Sequence, residues 1–310
     1  MDRLSGELES VRREPPARWR QRLYRRAILI ALAGNALLTV AKGAVAWISG
    51  SSALLSDAAN SLSDTLYSLL MAVGLYVAQQ PADESHPQGH SRFEPLVSLL
   101  ISIAMGGAGF TAIMEAVRRF RAGAVAIEPG WPAVVLVISA SVKVVMYALV
   151  RDIGQEAGSP AIRASARDNL ADVLTSLAAL LGVLGSRFFH PLLDPAAGVL
   201  VALWILRAMW EILRENLGYL TGRGAPAEVT ADIAEAASSV PGVLDVHRVI
   251  ADHVGPKLRV DMHIDVDGEM TLRESHAIAD QVEAKVEALP RVGLAFVHVE
   301  PADRDSPTEA

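Results

Sequence analysis

The sequence predicts a membrane-embedded, all-α domain of six transmembrane helices followed by a small cytoplasmic α+β domain of order α-β-β-α-β. Three observations carry this. Across 310 residues 51% are hydrophobic and only 20% charged, more apolar surface than a soluble fold of this size has reason to carry. The apolar residues crowd into long runs between about Arg26 and Leu220. Past Gly222 to Pro226 the charge density rises and short alternating patterns replace those runs. The expected division is therefore an amino-terminal cytoplasmic tail (1–25), a membrane domain (26–222), a cytoplasmic domain (223–302) and a polar, disordered end (303–310).

A hydrocarbon core of about 30 Å takes roughly 20 helical residues. Six stretches meet that length: Arg26 to Ile48, Ala53 to Val77, Phe93 to Val117, Trp131 to Val150, Ala161 to Leu184 and Ala196 to Leu213. The first runs for a full span and carries Asn35 and Lys42, so it reads as a transmembrane helix and not as a cleaved signal. An even number of spans puts both termini on one side. Basic residues are dense in the tail, and Arg92, Arg151, Arg163 and Arg167 fall on the same face, which should be cytoplasmic; Arg118, Arg119 and Arg121 are the exception. Beyond the spans, Thr230 to Ser239 has helical spacing, while Val243 to Ala251 and Lys257 to Val266 alternate like strands. Leu272 to Leu289 is an amphipathic helix and Leu294 to Val299 a last strand. Helices on one face of a short sheet suit this order.

Composition excludes several chemistries. With no cysteine, a disulfide framework and a thiolate metal site are both impossible. A net charge of -7 argues against nucleic acid as a partner. No catalytic constellation stands out, so an enzyme is not expected.

Polar residues inside the spans point to a cation. Asn60 and Asp64 in the second span, and Asp168 and Asp172 in the fifth, are each four residues apart and so lie on one helix face. A buried carboxylate costs a few kcal/mol on insertion scales, and three of them call for a positive partner. That partner is either a metal ion or, on a second reading, Lys42 or Lys143 in interhelical ion pairs. Asp57, a turn before Asn60, reads as a cap or hinge partner outside the site. Oxygen donors favour hard cations such as Mn²⁺, Mg²⁺ or Fe²⁺ over Zn²⁺, which prefers imidazole or sulfur. Three packed carboxylates also repel one another when empty, so a proton can take the metal's place, which is the physical basis of antiport. Paired helices converging on one site suit an alternating-access carrier better than a channel. A non-transporting metal sensor would have no reason to bear such carboxylates at the midplane.

Two further groups could hold metal. Asp83, His86 and His90 cluster in the loop between the second and third spans; Pro87 and the lack of a Glu after His86 rule out the one-helix metalloprotease motif. Five of the eight histidines lie in the tail, where His263 and His298 fall on strands and His276 on a helix. Arg92 and Glu94 could pair with Asp194 or Asp152, or Arg92 could simply snorkel.

Read as one piece, Asn35, Lys42 and SGSSALLSDAANSLSD, then PADESHPQGH with Arg92 and Glu94, the Asp168/Asp172 pair, DPAAG, PGVLDVH and DQVEAKVEAL, the chain resembles the cation diffusion facilitator family of divalent metal transporters over nearly its whole length. The resemblance implies a Y-shaped homodimer with six helices per subunit, a ferredoxin-like, metallochaperone-like cytoplasmic domain, and proton-coupled efflux of a divalent cation from the cytoplasm across the inner membrane. It implies a transport site at Asn60, Asp64, Asp168 and Asp172, a loop site at Asp83, His86 and His90, and a cytoplasmic site at His247, His263, His276, His298 and Glu300. Zinc-transporting members usually carry His in the transport site; Asn with three Asp is similar to the manganese-exporting branch. Glu300 stands where the family commonly has Asp. The expected substrate is Mn²⁺, with Fe²⁺, Zn²⁺, Cd²⁺ or Co²⁺ as alternatives, and no cofactor beyond the metal is expected.

Overall fold

The computed structural model describes residues 18–49, 52–122, 131–188, 190 and 192–302. The expected disordered end and the tail arginines Arg12 and Arg13 lie outside the described residues, as does the side chain of Asp194. The chain divides into two compact units at Leu217/Gly218.

The first unit contains α1 (Arg18–Ser49), α2 (Ser52–Ala78), α3 (Phe93–Ala122), α4 (Trp131–Glu156), α5 (Pro160–Phe188) and most of α6 (Leu193–Leu220). Helix α1 starts eight residues before the expected span, because the Arg- and Gln-rich stretch from Arg18 has good helical propensity and extends the helix past its apolar run. All except α5 are long and apolar enough to cross a membrane. Helix α5 has the length, at 29 residues, but carries Arg163, Arg167, Asp168 and Asp172. Those charges are sorted by face: Arg163 pairs with Glu215 at 2.8 Å and Arg167 with Glu211 at 3.9 Å, both on α6, while the two Asp turn toward α2 and α4.

The helices meet through small residues. Ala27 and Ala31 of α1 and Ala161, Ala164, Ala166 and Ala171 of α5 are buried in the same core as Met71, Leu75, Ile101, Met105 and Ile212. Small side chains let helix backbones approach where no hydrophobic drive exists, as in a lipid surround. Gly74 of α2 shows the same need, since a Cβ there would collide with Val97 of α3. Leu37, Val40, Trp47, Leu66, Ile103 and Phe110 point outward, an apolar surface that suits lipid and not water.

The second unit holds α7 (Ala227–Ser238), β1 (Asp245–Val254), β2 (Lys257–Val266), α8 (Leu272–Glu287) and β3 (Val292–Pro301), in the expected α-β-β-α-β order. The sheet order is β1-β2-β3, with β1–β2 antiparallel and β2–β3 parallel. Gly255, at φ 66°, makes the β1–β2 turn, and α8 provides the crossover that a parallel pair requires. Burial alternates strictly along β2. Its even-numbered residues Val260, Met262, Ile264 and Val266 pack under Ile233 and Ala237 of α7 and Ile278, Val282 and Val286 of α8. A capping box between Thr271 and Glu274 starts α8. The odd-numbered residues of β2, among them Asp261, His263 and Asp265, are left on the uncovered face.

The close approach of α2 and α3 yields an expected outcome. Gly74→Leu should cost about 1–3 kcal/mol by overpacking and lower the melting temperature of the detergent-solubilised protein. Pairing the milder Gly74→Ala with Val97→Ala should recover most of what Gly74→Ala alone loses; an additive loss in the double variant would refute the contact.

Candidate metal centres

Three groups of His, Asp and Glu place one donor atom each within 4.8 Å of one another among the described residues. One lies in the helical unit and is formed by Asp64, Asp168 and Asp172. The i,i+4 spacing stacks the two α5 carboxylates, and the approach of α2 brings Asp64 against them. Asp64 is buried, and so is Lys143 of α4. The Lys143 Nζ stands 2.9 Å from Asp64 Oδ2, to which it donates a hydrogen bond. It also stands 2.5 Å from Asp172 Oδ2, in a second ion pair. Both sequence readings of these carboxylates are thus present: they converge as ligands would, and a lysine reaches them. Lys42 is engaged elsewhere, 3.0 Å from Asp57 Oδ1, which gives Asp57 its partner outside the trio. Asn60 sits one turn from Asp64 on α2 and is exposed.

A polar seam holds α2 against α1 beside this group. Asn35 Nδ2 donates to Ser68 Oγ at 2.8 Å, and the hydroxyls of Thr39 and Thr65 are 2.9 Å apart. With Lys42–Asp57 the seam spans three helical turns.

The second group lies in the loop after α2. Asp83 Oδ1 accepts from the His86 backbone N–H at 2.7 Å, and Oδ2 is 3.4 Å from His90 Nε2. The two imidazoles have ring centroids 4.5 Å apart. His90 is fixed from behind, its Nδ1 lying 3.0 Å from the Pro81 carbonyl oxygen, which leaves Nε2 facing Asp83. Gly89 (φ 79°) supplies the left-handed residue that turns the loop back. The His86 amide, then the nearby imidazoles, hold the Asp83 carboxyl below its ordinary range.

The third group is on the uncovered face of the sheet and is made of His247, His263 and Glu300. Register explains it. His263 of β2 pairs with His298 of β3, and Asp265 with Glu300, so all four side chains share one face. His263 Nδ1 is 2.6 Å from Glu300 Oε1, and His298 Nε2 is 3.5 Å from the same oxygen. Between the Asp245–Asp265 and Arg248–His263 pairs, two residues of β1 oppose only one of β2, and this bulge brings His247 to the cluster, 3.6 Å from Glu300 Oε2 and 3.2 Å from Asp265 Oδ1. The longer Glu300 side chain therefore does reach its neighbours. Asp265 was not singled out from the sequence, although its position two residues after His263 on a strand puts it on the same face. His276 stands apart on α8, 3.8 Å from Asp280, because helix α8 covers the opposite side of the sheet.

The expected pairing with Asp194 lies outside the described side chains, and no ion pair joins Arg92 to Asp152 among the described residues; Glu94 takes another partner. It is buried and accepts a 2.9 Å hydrogen bond from the Tyr24 hydroxyl of α1, while Arg92 is exposed. Tyr24 faces inward on the Arg-flanked start of α1, a pairing that only the helix packing reveals.

Comparison with known sequences agrees with this layout. Residues 28–221 match the cation efflux transmembrane domain and residues 225–302 the cytoplasmic domain of cation efflux proteins. An uncharacterized transporter of Methanocaldococcus jannaschii is 34% identical over 276 residues, covering 89% of this chain and 98% of its own. The magnetosome protein MamM of Paramagnetospirillum magneticum is 32% identical, covering 83% and 81%. The manganese efflux system protein MneS of Bacillus subtilis is 25% identical, covering 89% and 95%.

The bond to His263, then the charges of the neighbouring histidines, lower the affinity of Glu300 for protons. Because its folded-state pKa is depressed, the interaction stabilises the domain above the ordinary glutamate range and is lost as pH falls through the folded value. Carboxyl NMR with chelator present should find Glu300 titrating below an ordinary glutamate, and His263→Ala should return it to that range. An unchanged Glu300 in the variant would mean the bond does not form in solution.

Proposed function

The chain belongs to the cation efflux family, whose members carry divalent metal cations across membranes, and on that premise we propose that it exports Mn²⁺ from the cytoplasm in exchange for protons. The observation that carries this is the donor set in the helical unit: carboxylates from two helices, with no nitrogen or sulfur donor among them, converge between apolar helices. All-oxygen coordination favours a hard cation. Asn60, one helical turn from Asp64, is the fourth donor in this reading, reaching the ion as α2 adjusts around it. A relative whose name records manganese efflux supports the same ion, and Fe²⁺, with similar preferences, is the nearest competitor.

Proton coupling follows from charge. Carboxylates held this close repel one another, and either a divalent cation or protons can neutralise them. Exchange of one for the other makes the proton gradient a source of work for secondary active transport. In this reading α5 is the sixth span, its charges matched on both faces, and the Arg-rich start of α1 places both termini in the cytoplasm and the spans in the inner membrane. The loop trio and the sheet-face cluster are auxiliary metal sites, the latter in the domain through which two copies assemble as a homodimer.

The test is uptake of Mn²⁺, Fe²⁺ and Zn²⁺ into inverted vesicles under an imposed pH gradient. Mn²⁺ uptake should exceed that of the others and collapse when the gradient is removed. Asp64→Ala, Asp168→Ala and Asp172→Ala should each abolish it, and Asn60→His should move preference toward Zn²⁺. Zinc-selective uptake by the unmodified protein would overturn the oxygen-donor argument, and uptake indifferent to pH would overturn the antiport.

A further inference from the structure

We propose that Lys143 is a tethered counter-cation of the transport site: between turnovers its ammonium bridges Asp64 and Asp172, and the incoming metal displaces it from those oxygens. This rests on the reading of Asp64, Asp168 and Asp172 as the transport site. Lys143 is 3% exposed and projects from α4, a helix that supplies none of the three carboxylates. Its Nζ lies 2.9 Å from Asp64 Oδ2 and 2.5 Å from Asp172 Oδ2. A divalent cation takes carboxylate oxygens at about 2.0–2.2 Å. Ammonium and metal cannot both occupy the space between those two atoms, and the flexible four-carbon stem of lysine lets its charge swing aside without leaving the site.

The other cations nearby have their own partners. Lys42 faces Asp57, and Arg163 and Arg167 face Glu215 and Glu211 of α6. With all three carboxylates ionised, one ammonium leaves a charge of -2 (-3 + 1), which one divalent ion cancels. A carrier with the ammonium in place also reorients with less uncompensated charge in the apolar layer. Lys143 is thus a positioning residue with two effects: it weakens metal binding by competing for the oxygens, and it speeds release by reclaiming them.

Both effects are read from Mn²⁺ uptake by inverted vesicles, with KM and kcat measured for the full-length protein, Lys143→Gln, Lys143→Arg and Asp64→Asn. Removing the competitor should lower KM about tenfold and lower kcat with it, while Lys143→Arg, keeping the charge, should stay near the unmodified protein in both. Unchanged or raised KM in Lys143→Gln, with Asp64→Asn inactive, overturns the proposal and leaves the site standing. Normal uptake by Asp64→Asn overturns the site itself. If Lys143→Gln transports nothing, Mn²⁺ titration of the purified variant by calorimetry, with His86, His90, His263 and His298 replaced by alanine throughout, decides the matter. Tighter binding than in the matched parent sustains the proposal, and weaker or equal binding overturns it.

Discussion

Three carboxylates confined between helices set the terms for the polar groups packed around them in the membrane unit. In a medium of low dielectric their mutual repulsion is large, and they persist only if positive charge is within reach and the helices bearing them are held rigidly. The lysine on α4 answers the first need. The polar seam between α1 and α2 answers the second for Asp64, fixing its helix at several depths through Asn35, Thr39 and Lys42. On α5 the solution is a division of faces, with arginines bound to acids of α6 and aspartates turned away from them. That division also explains why α5 fails a simple apolarity criterion while packing as deeply as its neighbours.

Much of this was legible in residue spacing. The i,i+4 spacing of Asp168 and Asp172 puts both on one face of α5, and the small residues along α1 and α5 let the helices pack close enough for Asp64 to join them, while Asn60 stays exposed. The second unit was legible at the level of element order, because strand alternation and helical spacing are local signals. Register is not local. The convergence of His263, His298 and Glu300 needed the parallel pairing of β2 with β3, in which residues 35 apart in sequence become neighbours. His276 shows the converse: a helix laid across one face of a sheet cannot deliver its side chain to a cluster on the other, however well the intervals match.

The Tyr24–Glu94 bond illustrates a third kind of illegibility. From sequence, an acid beside an arginine at a helix start suggests surface charge pairing. In the fold the acid turns inward and takes a neutral hydroxyl as donor, because the adjacent positions Val97 and Ile101 already commit that face of α3 to the core. Side-chain direction on a helix is set by the whole stripe and overrides the preference of any single residue for its neighbour in sequence.

The bulge in β1 makes the sheet-face cluster depend on a count as well as on identity. Regular pairing would leave one residue, not two, between the Asp265 and His263 levels of β2, and the residue just before Arg248 would then stand opposite Ile264 on the covered side of the sheet. Deleting Val246 keeps every donor residue in the chain yet turns the His247 imidazole into the oily layer beneath α7 and α8. Two chains with the same histidines can therefore differ in whether this face gathers its donor groups at all, and the difference is written in strand length.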